Sequence, residues 1–455
     1  MRQLENLALF TDLYELTMAA SYFDHKMFEP ASFSLFVRNY PPFRSYFVCA
    51  GLDDVLHYLE DLKFSSEDLD FLKETGLFKQ DFLSFLMRFR FTGDVLAIPE
   101  GRLFFLNEPI IEVTAPLIEA QIIETFLINA VNLQVMIATK ASRCVHAAGR
   151  RKLVDFSLRR TQGIDAGMKV ARASYIGGFI GTSNVLAGKV YGLPIFGTMA
   201  HSFVTSFESE IDAFRAFARS FPENVVLLVD TYDTLKGAEK AVEVGGELAL
   251  YGKKLSGVRL DSGDMALLSK EVRKILRKGR LEKTMIFASG AFDEFKIQKV
   301  LNEGGDIDSF GVGTKMGVSA DAPYLDMAYK LVKYAGHPVL KLSPGKQTLA
   351  SDKQIFRFTT PQGKLQKDVI ALRDERLEGG EPLLKRVMVK GKRIKRSSSL
   401  NHIQRTFLDE FSRLDDRFKS IERRRFEYPV ILSPKLKTLQ SQIIRKSRQK
   451  ELGES

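Results

Sequence analysis

LSGVRLDSGD (255–264) joins a short apolar run to a polar, glycine-containing end, and the same order recurs along the middle of the chain. It returns in LVDFSLRR (153–160), GGFIGTSN (177–184), LPIFGTMAHS (193–202), VVLLVDTYD (225–233), MIFASGAFDE (285–294) and FGVGTKM (310–316). Stretches able to cover a helix lie between most of these runs. Strands that alternate with helices predict a parallel sheet. In a closed parallel barrel the chemistry sits at the carboxyl ends of the strands. Here the chemistry-bearing side chains gather at those ends, and the strand bodies are plain hydrocarbon. Seven strands in a parallel α/β barrel are therefore expected, with a functional site at its mouth.

Composition sets the bounds. A chain of 455 residues can bury a large core and hold two or three domains. Cys49 and Cys144 are its only cysteines, which excludes a disulfide framework and a cysteine-rich metal site and fits a reducing cytosol. Neither lies beside a histidine or a basic run, so both read as buried structural thiols. MRQLENLALF at the start lacks the long apolar core of a signal peptide. The most hydrophobic stretch, 109–138, is broken by Glu112, Glu119 and Glu124. It reads as a core helix entered through a strand, with no membrane span. A cytoplasmic location is expected.

The net charge of +11 is not spread evenly. Residues 385–455 hold twenty Lys and Arg against eight Asp and Glu, so the rest of the chain is close to neutral. A basic segment invites a nucleic-acid reading. The favoured alternative is a solvated helical segment that packs on the body through Leu400, Ile403, Phe407 and Phe411 at helical spacing. No nucleic-acid motif accompanies the charge, and no nucleic-acid partner is expected.

Outside the barrel, a helix is expected at 4–23, a strand at 31–41, and helices at 50–62 and 66–88. Residues 90–116 read as a small antiparallel unit with turns at Thr92-Gly93-Asp94, Pro99-Glu100-Gly101 and Asn107-Glu108-Pro109. A long helix (117–148) then leads into the barrel. Hairpins are expected again at 327–336, 337–359 and 383–394. The expected organisation is a helical and β-rich domain of residues 1–130 completed by 337–395, a barrel over 131–336, and a basic helical segment over 396–455. The β-rich domain is thus built from both chain ends.

The strand ends can be read as chemistry. His201 follows an apolar strand, with Gly197, Thr198 and Ser202 around it. A lone histidine serves structure more often than catalysis. Its position at a strand end, before a helix expected from Ser202, suits an anion held on backbone N–H groups. Arg259 and Asp261, two apart on a strand, point to one face. They read either as an ion pair or as ligand groups for an anion and for hydroxyls or Mg²⁺. Ser289-Gly290 and Gly311, Gly313 and Thr314 form two compact turns on consecutive strands, the pattern of barrel phosphate sites. Neither has the spacing of a P-loop or a dinucleotide fingerprint. Arg159 and Arg160 end the first strand; Thr182, Ser183 and Asn184 end the second. Such a mouth suits a ligand with several phosphates, a ribose and a further anionic group.

Together TDLYELTM (11–18), LRRTQG (158–163), GGFIGTSNVLAG (177–188), GTMAHSFVTSF (197–207), RLDSGD (259–264), ASGAFDE (288–294) and FGVGTKMG (310–317) resemble the nicotinate phosphoribosyltransferase family, in the family's order. YPVILSPKL (428–436) resembles its C-terminal stretch. The resemblance implies a type II phosphoribosyltransferase fold, an irregular α/β barrel with a β-rich domain from both chain ends. It implies synthesis of nicotinate mononucleotide and pyrophosphate from nicotinate and phosphoribosyl pyrophosphate, in NAD salvage. ATP hydrolysis would be coupled through a phosphohistidine, with Mg²⁺ on the phosphates, in a homodimer with shared active sites. Carried over by position, His201 resembles the phosphorylated histidine. Tyr14 resembles an aromatic residue that stacks on the pyridine ring across a dimer interface. Thr198 and Arg259 resemble nicotinate contacts, with Arg159 a further partner for the carboxylate. Thr314, Gly313, Ser289 and Gly290 resemble the site of the ribose 5-phosphate end. Asp261 would meet ribose hydroxyls, and Arg38 a phosphate in the neighbouring subunit.

A related family that uses nicotinamide carries an acidic residue after Gly-Thr on the second strand. Ser183 stands there in this chain. A hydroxyl can donate to a substrate carboxylate, whereas a carboxylate would repel it, so the acid substrate is expected. The alternatives are a nicotinamide or quinolinate phosphoribosyltransferase, or a catalytically silent barrel that binds nucleic acid through its basic C-terminus.

Overall fold

The computed structural model describes residues 7–343 and 348–453. The chain divides into two compact units, Met1–Met136 with Tyr324–Ser455, and Ile137–Pro323.

The Ile137–Pro323 unit carries the repeating pattern. Its strands are β1 (Lys152–Asp155), β2 (Gly181–Thr182), β3 (Val225–Leu228), β4 (Leu255–Leu260), β5 (Met285–Ala288) and β6 (Ser309–Val312). They pair side by side as β2-β1-β6-β5-β4-β3, all parallel. That is the sequential order of a ring cut open between β2 and β3. Apolar side chains of the strand bodies, such as Val154, Leu227, Val258, Ile286 and Phe310, are buried between the sheet and its helices. The result is a curled parallel sheet of the TIM-like type.

The expected seventh strand lies at the cut and is not one. In 193–202 only Ile195 forms a bridge, parallel to Thr182. Pro194 accepts from the Thr182 N–H, and the Phe196 N–H donates to the Thr182 carbonyl. Proline has no N–H of its own to extend a ladder, and Gly197 follows almost at once. The run is apolar as read, but its backbone forms a single bridge and no strand.

Polar residues at the strand ends start the following helices. Asn184, Asp233, Asp264 and Asp293 each accept a hydrogen bond from a backbone N–H in the first turn of the helix they precede. This satisfies donors that a helix leaves open. Two of the acids in LDSGD and AFDE, Asp264 and Asp293, are therefore caps. The helix expected from Ser202 begins at His201 and runs His201–Thr205.

The other unit is β-rich and draws on both chain ends. Its seven-stranded sheet runs His337–Pro338, Met327–Tyr334, Pro30–Val37, Ile111–Pro116, Asp94–Ala97, Lys385–Val389, Lys392–Arg393, antiparallel throughout. Met327–Tyr334, expected as a hairpin but counted within the 131–336 barrel, forms a hairpin with His337–Pro338 and pairs on its other side with Pro30–Val37. A second sheet joins Glu381–Pro382, Lys353–Thr359, Leu365–Leu372 and Val430–Leu432. Residues 344–347, within the hairpin expected at 337–359, lie outside the described residues.

The basic C-terminal segment belongs to this same unit. Helix Leu400–Arg413 buries Ile403, Phe407 and Phe411, and Val430–Leu432 adds a parallel strand beside Leu365–Leu372. Arg357, 1% exposed, is held by Asp368 at 2.5 Å and Glu410 at 2.7 Å. The long helix expected at 117–148 forms as Leu117–Ile122 and Glu124–Ala148. It is long and apolar enough to cross a membrane, yet most of its apolar window is buried within the protein. Cys49 and Cys144 are free and buried, and burial pushes both thiols up.

The first helix starts later than expected, at Leu13–Asp24; residues 4–6 of the expected helix lie outside the described residues. Thr11 donates to Glu15 and to the Ile122 carbonyl, which holds the entry to the helix. Glu15 is fully buried and also accepts from the Thr125 N–H at 2.9 Å and hydroxyl at 2.7 Å. Burial raises its carboxyl from 4.5 to about 7 against the bonds from Thr11 and Thr125. The folded state therefore keeps a proton that the unfolded state releases, so stability falls as pH rises from 4.5 to about 7. Glu15→Gln removes this titration. Its stability relative to the parent should rise by roughly 1–3 kcal/mol between those limits, measured by urea unfolding at both ends. An unchanged difference at the two pH values would remove Glu15 as the source.

Candidate active site

Arg259, on β4, is the hub of the barrel mouth. Its Nε donates to Ser289 Oγ at 2.8 Å, beyond the end of β5. Nη1 donates to Thr198 Oγ1 at 3.0 Å and to the Met199 carbonyl at 3.2 Å. Nη2 donates to Asp261 Oδ1 at 2.8 Å. The guanidinium also lies over the Phe156 ring, 5.6 Å from its centroid. One planar cation thus ties together the segments that follow β1, β2, β4 and β5. An arginine has five N–H donors, so four bonds leave one for a ligand. The structure bears out the ion-pair reading of Arg259 and Asp261.

Asp261 is a carboxylate here. Burial pushes it up, but the hydrogen bond from Ser289 and the charge of Arg259 outweigh burial, and its pKa falls below the usual range. Its own N–H donates to Asp230 Oδ2 at 3.0 Å, and Ser262 Oγ donates to the same oxygen at 2.6 Å. The other oxygen, Asp230 Oδ1, is buried without a hydrogen-bond partner. His201 lies on the same rim, half-buried, its Nδ1 3.2 Å from Thr231 Oγ1. That contact leaves Nε2 as the ring nitrogen available to a ligand.

A second hub sits at the end of β1. Asp155, 1% exposed, accepts from the Ser157 N–H at 2.8 Å, Ser157 Oγ at 2.5 Å and Thr182 Oγ1 at 2.7 Å. Burial raises its carboxyl against those bonds. Thr182 in turn accepts from the Asn184 N–H at 3.0 Å. These contacts fix the turn Leu158–Arg160 and the GTSN turn relative to each other. Arg159 and Arg160 on that turn are exposed, with no ion pair among the described residues. The Ser183 N–H donates to the Asp155 carbonyl, while its hydroxyl has no protein partner among the described residues.

The glycine turns close the rim. Gly290 has φ +98°, and a Cβ there would lie 2.0 Å from the Asp261 carbonyl oxygen. Lys296 Nζ donates to the Gly290 carbonyl at 2.6 Å. Burial, then the neighbouring Lys315, lowers the Lys296 pKa. Lys315 pairs with Asp293 at 2.9 Å. Thr314 is exposed, directly after Gly313 at the end of β6. The site residues expected from sequence therefore share one rim, with two exceptions.

Tyr14 and Arg38 belong to the other unit. Tyr14 is 47% exposed on Leu13–Asp24. Its hydroxyl is pushed up by partial burial and then by Glu124, Glu15 and Asp12. Arg38 faces Asp326 at 3.7 Å. Sequence reasoning missed Asp155 and Asp230. Each lies at or just past the end of its strand, inside a quoted run, so a signal existed. Asp155 is followed by Phe156 and reads as strand body, and Asp230 is masked by Asp233, the better placed of the two to start a helix.

Parallel strands that converge arginine, histidine, carboxylates and glycine turns on one rim define an α/β-barrel enzyme for an anionic substrate. Comparison with known proteins narrows this class. Residues 9–132 match the nicotinate phosphoribosyltransferase N-terminal domain, and 151–361 match the nicotinate phosphoribosyltransferase family. A nicotinate phosphoribosyltransferase of Mycobacterium tuberculosis is 46% identical over 94% of this chain and 92% of its own. One from Bacillus subtilis is 37% identical over 94% and 93%. The crystal structure of human nicotinic acid phosphoribosyltransferase superposes with a TM-score of 0.85 at 29% identity, over 95% of this chain and 99% of that one. The chain belongs to the nicotinate phosphoribosyltransferase family.

The close approach at Gly290 gives a direct test of the rim. Gly290→Ala should lose about 2 kcal/mol or more of stability, because the added methyl meets a backbone oxygen and the backbone is left-handed there. An unfolding transition unchanged from the parent would show that this turn is not constrained.

Proposed function

We propose that this chain makes nicotinate mononucleotide and pyrophosphate from nicotinate and phosphoribosyl pyrophosphate, with ATP hydrolysis coupled through His201. The observation that carries the reading is the joining of Thr198, Arg259, Asp261 and Ser289 into one hydrogen-bonded group, with His201 on the same rim. Family membership supports the substrates. The pyridine nitrogen attacks C1 of the ribose as pyrophosphate leaves, through a cation-like transition state. Such a reaction asks the protein mainly for position and charge.

The roles follow from the contacts. Arg159 and Arg160, exposed and without an ion pair among the described residues, are cations suited to meet the nicotinate carboxylate or a phosphate. Ser183, with an uncommitted hydroxyl, can donate to that carboxylate. Asp261, ionised and fixed by Arg259 and Ser289, is suited to accept from ribose hydroxyls. The Gly290 turn and Gly313-Thr314 offer backbone approach to the 5-phosphate. Among the described residues no cluster of three metal-ligating side chains exists. A buried, unpartnered oxygen on Asp230 beside Asp261 fits Mg²⁺ that arrives on a diphosphate, since Mg²⁺ usually takes one or two carboxylates plus substrate phosphates. When bound, that ion neutralises charge on the departing pyrophosphate.

A homodimer accords with the surface of each unit. Ile164, Val185, Leu186, Val190, Ile195 and Phe196 are exposed apolar side chains near the turns that follow β1 and β2. On the other unit Phe10, Leu13 and Tyr14 are exposed. Exposed apolar side chains grouped along one stretch of chain are what an association site would use. A subunit that supplies Tyr14 to its partner's mouth would use both. A cytoplasmic setting, with the product passing to NAD synthesis, agrees with two buried free thiols.

In the coupled step the γ-phosphoryl group of ATP transfers to an imidazole nitrogen of His201 and ADP leaves; water later cleaves the P–N bond to give phosphate. Incubation with labelled ATP and Mg²⁺ should give an acid-labile phosphate on His201. His201→Ala should lose ATP stimulation and keep some ATP-independent synthesis. Label that persists in His201→Ala, or resists acid, would sink the assignment.

Specificity tests Ser183. Ser183→Asp places an acceptor-only carboxylate where the hydroxyl stood. The ratio of kcat/KM for nicotinate over nicotinamide should fall by about tenfold or more, because like charges repel in a closed pocket. A folded variant whose ratio does not move toward the amide would show that Ser183 does not face the substrate.

A further inference from the structure

The β-rich unit contains a cavity of about 580 Å³ that the proposed reaction does not use. Its floor is apolar: Leu52 and Leu56 from helix Leu52–Asp61, and Ile403 from helix Leu400–Arg413. Its walls carry Lys385, Arg386, Lys395 and Arg396, from strand Lys385–Val389 and from the stretch before Leu400. None of the four has an ion pair among the described residues.

The charges around the cavity are otherwise settled. Arg102 on the same wall is taken by Glu381 at 2.7 Å and Glu410 at 2.9 Å. Arg393, between the two cationic pairs in sequence, is taken by Asp53 at 3.0 Å and Glu60 at 2.6 Å. The two acids that line the cavity are also engaged. Asp53 holds Arg393 and Ser397, and Glu100 accepts from the Gly51 N–H at 2.7 Å. Arg102, and after it Lys385, help lower the pKa of Glu381, and Glu100 keeps its own charge, yet the cations that line the cavity still outnumber the acids that line it.

Unpaired cations grouped around one concavity repel each other, and their field draws an anion in. A flat nucleic-acid surface would need no apolar floor. The volume lies in the range of small-ligand sites, and apolar side chains at the bottom suit a flat ring. We propose that this cavity binds a diphosphate group, carried on a nucleoside or free. The phosphates meet Lys385, Arg386, Lys395 and Arg396, and a nucleobase would rest on Leu52, Leu56 and Ile403.

The chain has no tryptophan, so Ile394→Trp, at a half-exposed position on the cavity wall, gives a fluorophore that reports on this place alone. Titration with ADP, and separately with inorganic pyrophosphate, should change its emission saturably. Tighter binding of ADP assigns the site to a nucleotide; equal binding assigns it to the free diphosphate. Arg386→Ala with Arg396→Ala should weaken binding at least tenfold, since two charge-assisted contacts are lost, and should leave activity intact. Lys392→Ala, which changes a cation outside the cavity, should not. Equilibrium dialysis of labelled ADP against the chain without the tryptophan should lose one bound ADP per chain in the double variant. An unresponsive tryptophan in a folded chain, or binding unaltered in the double variant, overturns the proposal. So does capture of random-sequence duplex DNA without any response to ADP.

Discussion

The barrel mouth depends on one guanidinium. Arg259 reaches Thr198, Met199, Ser289 and Asp261, groups that follow three different strand positions in the chain. Remove its planar fork and the segment at 193–202 loses its side-chain tie to β4, because that segment has only the bridge at Ile195 to hold it in the sheet. A lysine could supply the charge but not several directed donors. The opening of the ring between β2 and β3 and the presence of this arginine are thus linked: hydrogen bonds from a side chain do what a strand ladder does elsewhere.

The same economy governs the acids. Asp233, Asp264 and Asp293 hold helix starts, Asp155 locks the first two turns, and Asp230 braces the backbone and side chain that follow β4. Asp261 is partly exposed, and Ser289 and Arg259 hold its pKa below the ordinary carboxylate value. A barrel rim needs many polar groups to end strands and begin helices. Few of the polar groups on this rim, such as the Ser183 hydroxyl and the Arg159 and Arg160 cations, are without a protein partner among the described residues.

Much of this was legible in sequence because it repeats. Apolar runs that end in polar, glycine-bearing turns marked the six strands, and small residues at those ends marked the rim. The helical spacing of Ile403, Phe407 and Phe411 disclosed that the basic C-terminal segment packs on the protein. Three things resisted. Pro194 sits inside an apolar run and silences it as a strand. Asp155 looks like strand body because its neighbours are apolar. Met327–Tyr334 follows the barrel in sequence but pairs with Pro30–Val37, a partner almost three hundred residues away that local pattern cannot name.

Sequence by itself determined the alternation of strand and helix, the residue types at each strand end and the motif order that marks the family. Those are local properties, written in periodicity and in neighbours. Tertiary structure alone decided which strand ends adjoin, which carboxylate is a cap and which a charged rim group, and which cations go unpaired. The reason is physical. Hydrogen-bond partners and burial are set by residues distant in the chain, and a side chain's charge state and availability follow from those partners rather than from its own identity.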